Sequence, residues 1–98
     1  MRRALLVSRE ARFELREAQD WYNAISPALG DRFLAALDDC LEAILAEPAR
    51  FQIMHRRARR APLKRFPYGL IFRLDGDNIH LIACFHASRS PTVWRGRA

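Results

Sequence analysis

Two apolar stripes at helical spacing, separated by almost no loop, constrain this chain more than any other feature. Ala11, Leu15, Ala18, Trp21 or Tyr22, and Ile25 recur every three to four residues, the mark of an amphipathic helix of about five turns. Ser8 precedes it as an N-cap, and Glu10 in the first turn faces the positive helix end. Ser26-Pro27 closes this helix and opens the next, with Ser26 as cap and Pro27 at the first helical position. Phe33, Leu37, Leu41, Ile44 and Leu45 form the second stripe, and Pro48 ends it. Helices joined so tightly lie antiparallel, and their stripes need a sheet to cover.

The sheet has to come from the rest of the chain. Ala4-Leu5-Leu6-Val7 reads as a short, buried first strand. Residues 57–64 read as a strand charged on both faces, and Pro62 lacks an N–H, so this strand is expected at an edge. Phe66-Pro67 turns the chain into the strand Tyr68–Leu74. Asp75-Gly76-Asp77-Asn78 is a hairpin signal, and Asn78–His86 is the last and most apolar strand. Strict alternation places Ile79, Leu81, Ala83 and Phe85 on one face, with His80, Ile82, Cys84 and His86 on the other. Leu37 and Leu41 are expected to face the sheet, as is Phe85. The order β-α-α-β-β-β predicts an α+β domain, a helical hairpin on one face of a mainly antiparallel four-stranded sheet.

At 98 residues the chain is expected to form one domain, residues 1–98, burying roughly 65% of its unfolded surface. Its charge of +6 is unevenly spread. Residues 1–48 carry six arginines against nine acids, whereas residues 49–98 carry eleven Lys and Arg against two acids. The stretch Arg56–Phe72 concentrates this excess: Arg56, Arg57, Arg59, Arg60, Lys64 and Arg65 precede an apolar strand with no acid among them. Such a split marks one functional face with an anionic partner, and guanidinium forks suit phosphate or carboxylate.

Cys40 and Cys84 are too few and too isolated for a zinc site, and each falls in an apolar element, so both read as buried free thiols in a reducing cytoplasm. The start is too short for a signal-peptide core, and no run is long enough to span a bilayer. The chain has no Gly-rich phosphate loop, Ser-His-Asp arrangement or helical metal pair; no cofactor, metal or membrane is expected.

The helix with Trp21-Tyr22, the helix ending in Pro48-Ala49-Arg50-Phe51, then Arg65-Phe66-Pro67-Tyr68 and the closing His86-Ala87-Ser88-Arg89-Ser90-Pro91 with Trp94 resemble the RelE/ParE superfamily. These are toxins of type II toxin–antitoxin modules, also called plasmid stabilisation proteins. The resemblance runs from Leu5 to Trp94 and rests on the joint order of elements. It implies a small cytoplasmic toxin, neutralised in a hetero-oligomer by a largely extended antitoxin segment that wraps it. ParE-like members poison DNA gyrase; RelE-like members cleave messenger RNA on the ribosome. One fold hosts both.

Metal-free RNA cleavage needs a base, an acid and cations for the phosphate. His86, Arg65 and Arg73 are the catalytic candidates if the chain cuts RNA. RelE-like sites use several Lys and Arg, often with a Tyr near the end; this chain has one lysine, Lys64, and no tyrosine after Tyr68. His80 lies about 20 Å from His86 along an extended strand and cannot share one phosphate with it. For antitoxin or target contact the candidates are Arg59, Arg60, Lys64, Tyr68, Arg89, Trp94 and Arg95. A ParE-like gyrase inhibitor is the first reading, an RNA-cleaving toxin the second, and a non-toxic antitoxin-binding homologue the third.

Overall fold

Two serines set the helical hairpin. In the computed structural model, which describes residues 3–98, the first helix α1 spans Arg9–Ile25 and α2 spans Pro27–Ala46. The Ser8 hydroxyl accepts from the Ala11 N–H at 3.0 Å, and the Ser26 hydroxyl accepts from the Leu29 N–H at 3.1 Å. Ser26 also donates its own N–H to the Tyr22 carbonyl, so one residue ends α1 and caps α2.

Around the hairpin lie β1 (Ala4–Val7), a 3₁₀ turn (Pro48–Arg50), β2 (Gln52–His55), β3 (Ala58–Pro62), β4 (Tyr68–Asp75), β5 (Asn78–His86) and a short helix α3 (Thr92–Arg95). The sheet order is β1-β5-β4-β3-β2, with β1 parallel to β5 and every other pair antiparallel. This is the expected α+β architecture with one strand more. The extra strand, Gln52-Ile53-Met54-His55, shows no alternation, because three of its four residues are exposed; it is held by pairing with β3 and by the contact of the His55 ring with Trp94.

That strand moves β3 away from the edge. Ala58 and Ala61 are fully buried, so the cations did not mean an unburied strand. Arginines mount on a buried strand by carrying the head to the periphery while the backbone stays covered. Pro62 does sit at the strand end. β1 is an outer strand, with Leu5 and Val7 packed inward and Leu6 half exposed.

The faces of β5 differ from strict alternation for one reason. Ile71 pairs with Ala83 but Phe72 pairs with Leu81, so Ile82 is the extra residue of a bulge. Ile79, Leu81 and Cys84 therefore face the helices with Phe33, Leu37, Cys40, Ile44, Leu70 and Phe72. Ile82, Ala83 and Phe85 face the other side, where they pack with Ala58, Ile71 and Trp94. Phe85 is thus buried, but not against Leu37. Leu41 is only partly buried. On α1, Tyr22 turns inward while Trp21 and Ile25 stay 66% and 62% exposed.

Both cysteines are buried and free. Burial pushes the Cys40 thiol up to about 11 and, with Glu14 and Cys40 nearby, the Cys84 thiol up to about 12. Thiolate is the reactive form, so at pH 8 only about one Cys40 in 10³ carries it. We expect no reaction with a disulfide reagent in the native chain and two reactive thiols in denaturant. Native labelling on the timescale of a free thiol would show that the core opens readily.

Candidate functional site

The turn between β3 and β4 carries the first cationic group. The Leu63 N–H donates to the Tyr68 carbonyl at 2.9 Å, closing a tight loop in which Arg65 adopts φ 69°. Lys64 and Arg65 are both exposed there. Phe66 packs back on Phe33 and Tyr22, with ring centroids 5.2 and 4.9 Å apart. This aromatic nest fixes the turn, and the two cations face outward along the flank of α2.

Tyr68 and His86 form a second group. They are register partners across β4 and β5, and their rings meet edge-on at 5.0 Å. Tyr68 also lies 5.7 Å from Phe33, which leaves it half-buried on the helical side. Burial, and then neighbouring Tyr22, Cys84 and Glu17, push its hydroxyl above its ordinary value against an opposing pull from Arg89. His86 Nδ1 accepts from the Ser88 N–H at 3.0 Å and lies 2.8 Å from the Ser88 hydroxyl. That backbone donor leaves the proton of the neutral ring on Nε2.

A third group surrounds Asp75. Arg57 reaches one carboxylate oxygen at 2.7 Å; Arg73 and His80 reach the other at 3.0 and 3.3 Å. The hydrogen bond from Arg73 holds the Asp75 carboxyl below its ordinary value, helped by the charges of Arg73, Arg57 and His80. Arg73, which interrupts an apolar strand, therefore has a partner within its own strand.

The expected contact residues divide. Arg59 donates to the carbonyls of Ala49 and Phe51 at 3.0 and 2.8 Å, closing the 3₁₀ turn onto the sheet. Arg60 lies across Gly69, where an added Cβ would come within 2.9 Å of its Nε, so the glycine makes room for the guanidinium. Lys64, Arg65, Arg89 and Arg95 are exposed. Trp94 is not the surface anchor expected in a basic tail: at 2% exposure it closes the second core cluster, near Phe85 and His55.

Three of the groupings were missed in the sequence. Glu14 and Arg97 form a two-pronged ion pair at 3.0 and 3.1 Å. Glu14 also accepts from the Cys84 N–H, and Arg97 donates to the Ile82 carbonyl. Both close the margin of β5 beyond the point where β1 stops pairing. The partners lie 83 positions apart, and nothing local links them. The Asp75 cluster and the groove of about 630 Å³ between α2 and the β3–β4 turn, lined by Leu29, Ala36, Asp39 and Lys64, are likewise products of tertiary packing. Among the described residues no three His, Cys, Asp or Glu side chains converge as metal ligands, and no helix is long and apolar enough to cross a membrane.

The arrangement defines a helical hairpin on a sheet whose cations form separate surface groups. A sequence profile described as the ParE toxin of the type II toxin–antitoxin system, parDE, matches residues 5–91. The chain belongs to this ParE toxin family. A solved structure titled "Chromosomal ParDE TA system from P. aeruginosa" contains a chain of similar fold, with a TM-score of 0.62 at 24% identity. The match covers 88% of this chain and 97% of that one. Comparison with curated proteins found no match.

Proposed function

We propose that this toxin arrests growth by binding DNA gyrase and that a cognate antitoxin neutralises it in a cytoplasmic hetero-oligomer. The observation that carries the first part is the separation of the cleavage candidates. Arg73 pairs with His80, five positions along β4 from the Tyr68–His86 pair, or about 17 Å. It is also committed to Asp75. Arg65 sits in the turn on the flank of α2. Arg73 so placed cannot serve one phosphate together with His86, whereas exposed cations in several patches suit a broad protein interface. Membership of a toxin–antitoxin family supports the second part.

One observation favours RNA cleavage as the second reading. His86, with its Nδ1 occupied, lies against Tyr68, and Arg89 acts on the same hydroxyl. That brings a base, an acid and a cation to one end of the sheet. His86→Ala separates the readings. The variant is expected to arrest growth like the parent and to inhibit gyrase on supercoiled DNA equally well. Messenger-RNA cleavage by the parent that vanishes in His86→Ala would overturn the gyrase reading and establish the second.

A further inference from the structure

The outer side of α1 carries two neighbouring rows at i, i+4 spacing. One is Phe13, Glu17, Trp21 and Ile25; beside it run Arg12, Arg16, Asp20 and Ala24. Every side chain in both rows is exposed. The core uses none of them, because Ala11 and Ala18 turn inward with Leu15 and Tyr22. Phe13 is 65% exposed, as bare as Trp21 and Ile25. From Phe13 to Ile25 the first row is about 18 Å long at 1.5 Å per residue. A row at this spacing is the ridge by which one helix packs on another, and here nothing in the fold packs on it.

The second row says what covers the first. Arg16 and Asp20 stand four positions apart, yet neither they nor Arg12 form an ion pair among the described residues. Their order is the poorer one within a helix, with the cation nearer the N-terminus. A second α1 laid antiparallel reverses that order. With Glu17 on the two-fold axis, Phe13 of each copy meets Trp21 of the other, since both lie four positions from the axis. The same axis keeps the two charged rows on one flank. Asp20 lies three positions beyond the axis; Arg16 and Arg12 of the other copy lie one and five positions beyond it. Each Asp20 thus comes between two guanidiniums, and the surface is complementary to itself. Glu17 meets Glu17, the single like-charge contact. A nucleic acid fits less well, because Glu17 and Asp20 would repel its phosphates.

We infer that α1 is a self-association face, through which two copies of this chain pair antiparallel about Glu17. The inference stands apart from the gyrase and antitoxin readings and uses none of their candidate residues. The contact is one helix wide, smaller than a standard interface, so a dimer with a Kd of about 10 µM is expected.

Sedimentation of the purified chain, from about tenfold below to tenfold above that Kd, is the test. The parent is expected to pass from monomer to dimer. Trp21→Glu is expected to weaken the dimer at least about 30-fold, the loss of a hot spot, and Glu17→Gln to tighten it about threefold. Asp20→Arg is expected to weaken it about 10-fold, as is the double change Arg12→Glu with Arg16→Glu. Those two variants mixed should form a heterodimer at least as tight as the parent's dimer, because each then supplies the charge that the other lacks. All these side chains are exposed, and melting beside the parent confirms that each variant is folded. A parent that stays monomeric throughout overturns self-association and leaves the row to a different protein. A parent dimer that Trp21→Glu leaves intact overturns the assignment to α1. If Trp21→Glu breaks the dimer but the two charge variants fail to pair, the antiparallel register is overturned.

Discussion

Trp94→Ala is expected to cost about 3–5 kcal/mol of folding stability, the range for removing a large buried aromatic. The indole is 2% exposed and shares the second core cluster with Ile71, Ala83 and Phe85. The long helices α1 and α2 lie on the opposite face of the sheet, so Trp94 is the largest side chain among the described residues that covers this cluster. A domain of this size has about 5–15 kcal/mol in total, so the loss is a large share of it. Trp94→Phe should behave differently. The indole N–H is buried without a partner among the described residues, and such a group costs about 1–3 kcal/mol. Phenylalanine keeps most of the apolar contact and deletes that cost, so it should lose far less than alanine. Urea unfolding measures both, with a shifted midpoint and an unchanged slope. A midpoint for Trp94→Ala equal to the parent's would place the indole outside the core.

The contrast between Trp94 and the helical hairpin shows what sequence pattern can carry. Ser8, Ser26 and Pro27 act within three or four residues of themselves, and the caps stand where spacing predicts. The turn at Asp75–Asn78 is local too, with Gly76 at φ 58°. Features built by tertiary contact left no such trace. A single bulge at Ile82 reverses the faces of the last four positions of β5, and its own sequence is as apolar as its neighbours. β2 holds on by backbone pairing and the His55–Trp94 contact, which no side-chain pattern reports.

The site divides along the same line. Exposure of Lys64 and Arg65 was legible from their charge, but the strand expected over 57–64 ends at Pro62, so both lie in the turn and not on a strand. Arg59 was not, because its role is to bind two carbonyls of the 3₁₀ turn eight and ten positions away. A basic run in the sequence thus mixes arginines that stay exposed with arginines that hold the fold. Composition cannot separate the two, since both need a long side chain with a charged end.

Glu14→Ala is the second large change to expect, about 2–3 kcal/mol, somewhat under the 3–5 of a fully dry ion pair. The pair is 12% exposed at Glu14 and 23% at Arg97, so water screens it in part. What raises the cost is that Glu14 serves two donors. Its loss leaves the Arg97 guanidinium unmatched and strips the Cys84 N–H of its acceptor on the open margin of β5. Arg97→Ala should be milder, about 1–2 kcal/mol, because the Glu14 carboxylate keeps the Cys84 N–H and partial access to water. The order of the two losses is therefore diagnostic. Hydrogen exchange adds a local reading: the Cys84 amide should exchange faster in Glu14→Ala than in Arg97→Ala, beyond what the change in global stability explains. The pair also holds the same terminal segment as Trp94, so Arg97→Ala and Trp94→Ala together should cost less than their sum. Once the indole is gone, α3 has little left for Arg97 to hold in place. Strict additivity, or a larger loss at Arg97 than at Glu14, would show that the carboxylate does not bind the helix, the sheet margin and the terminal segment together.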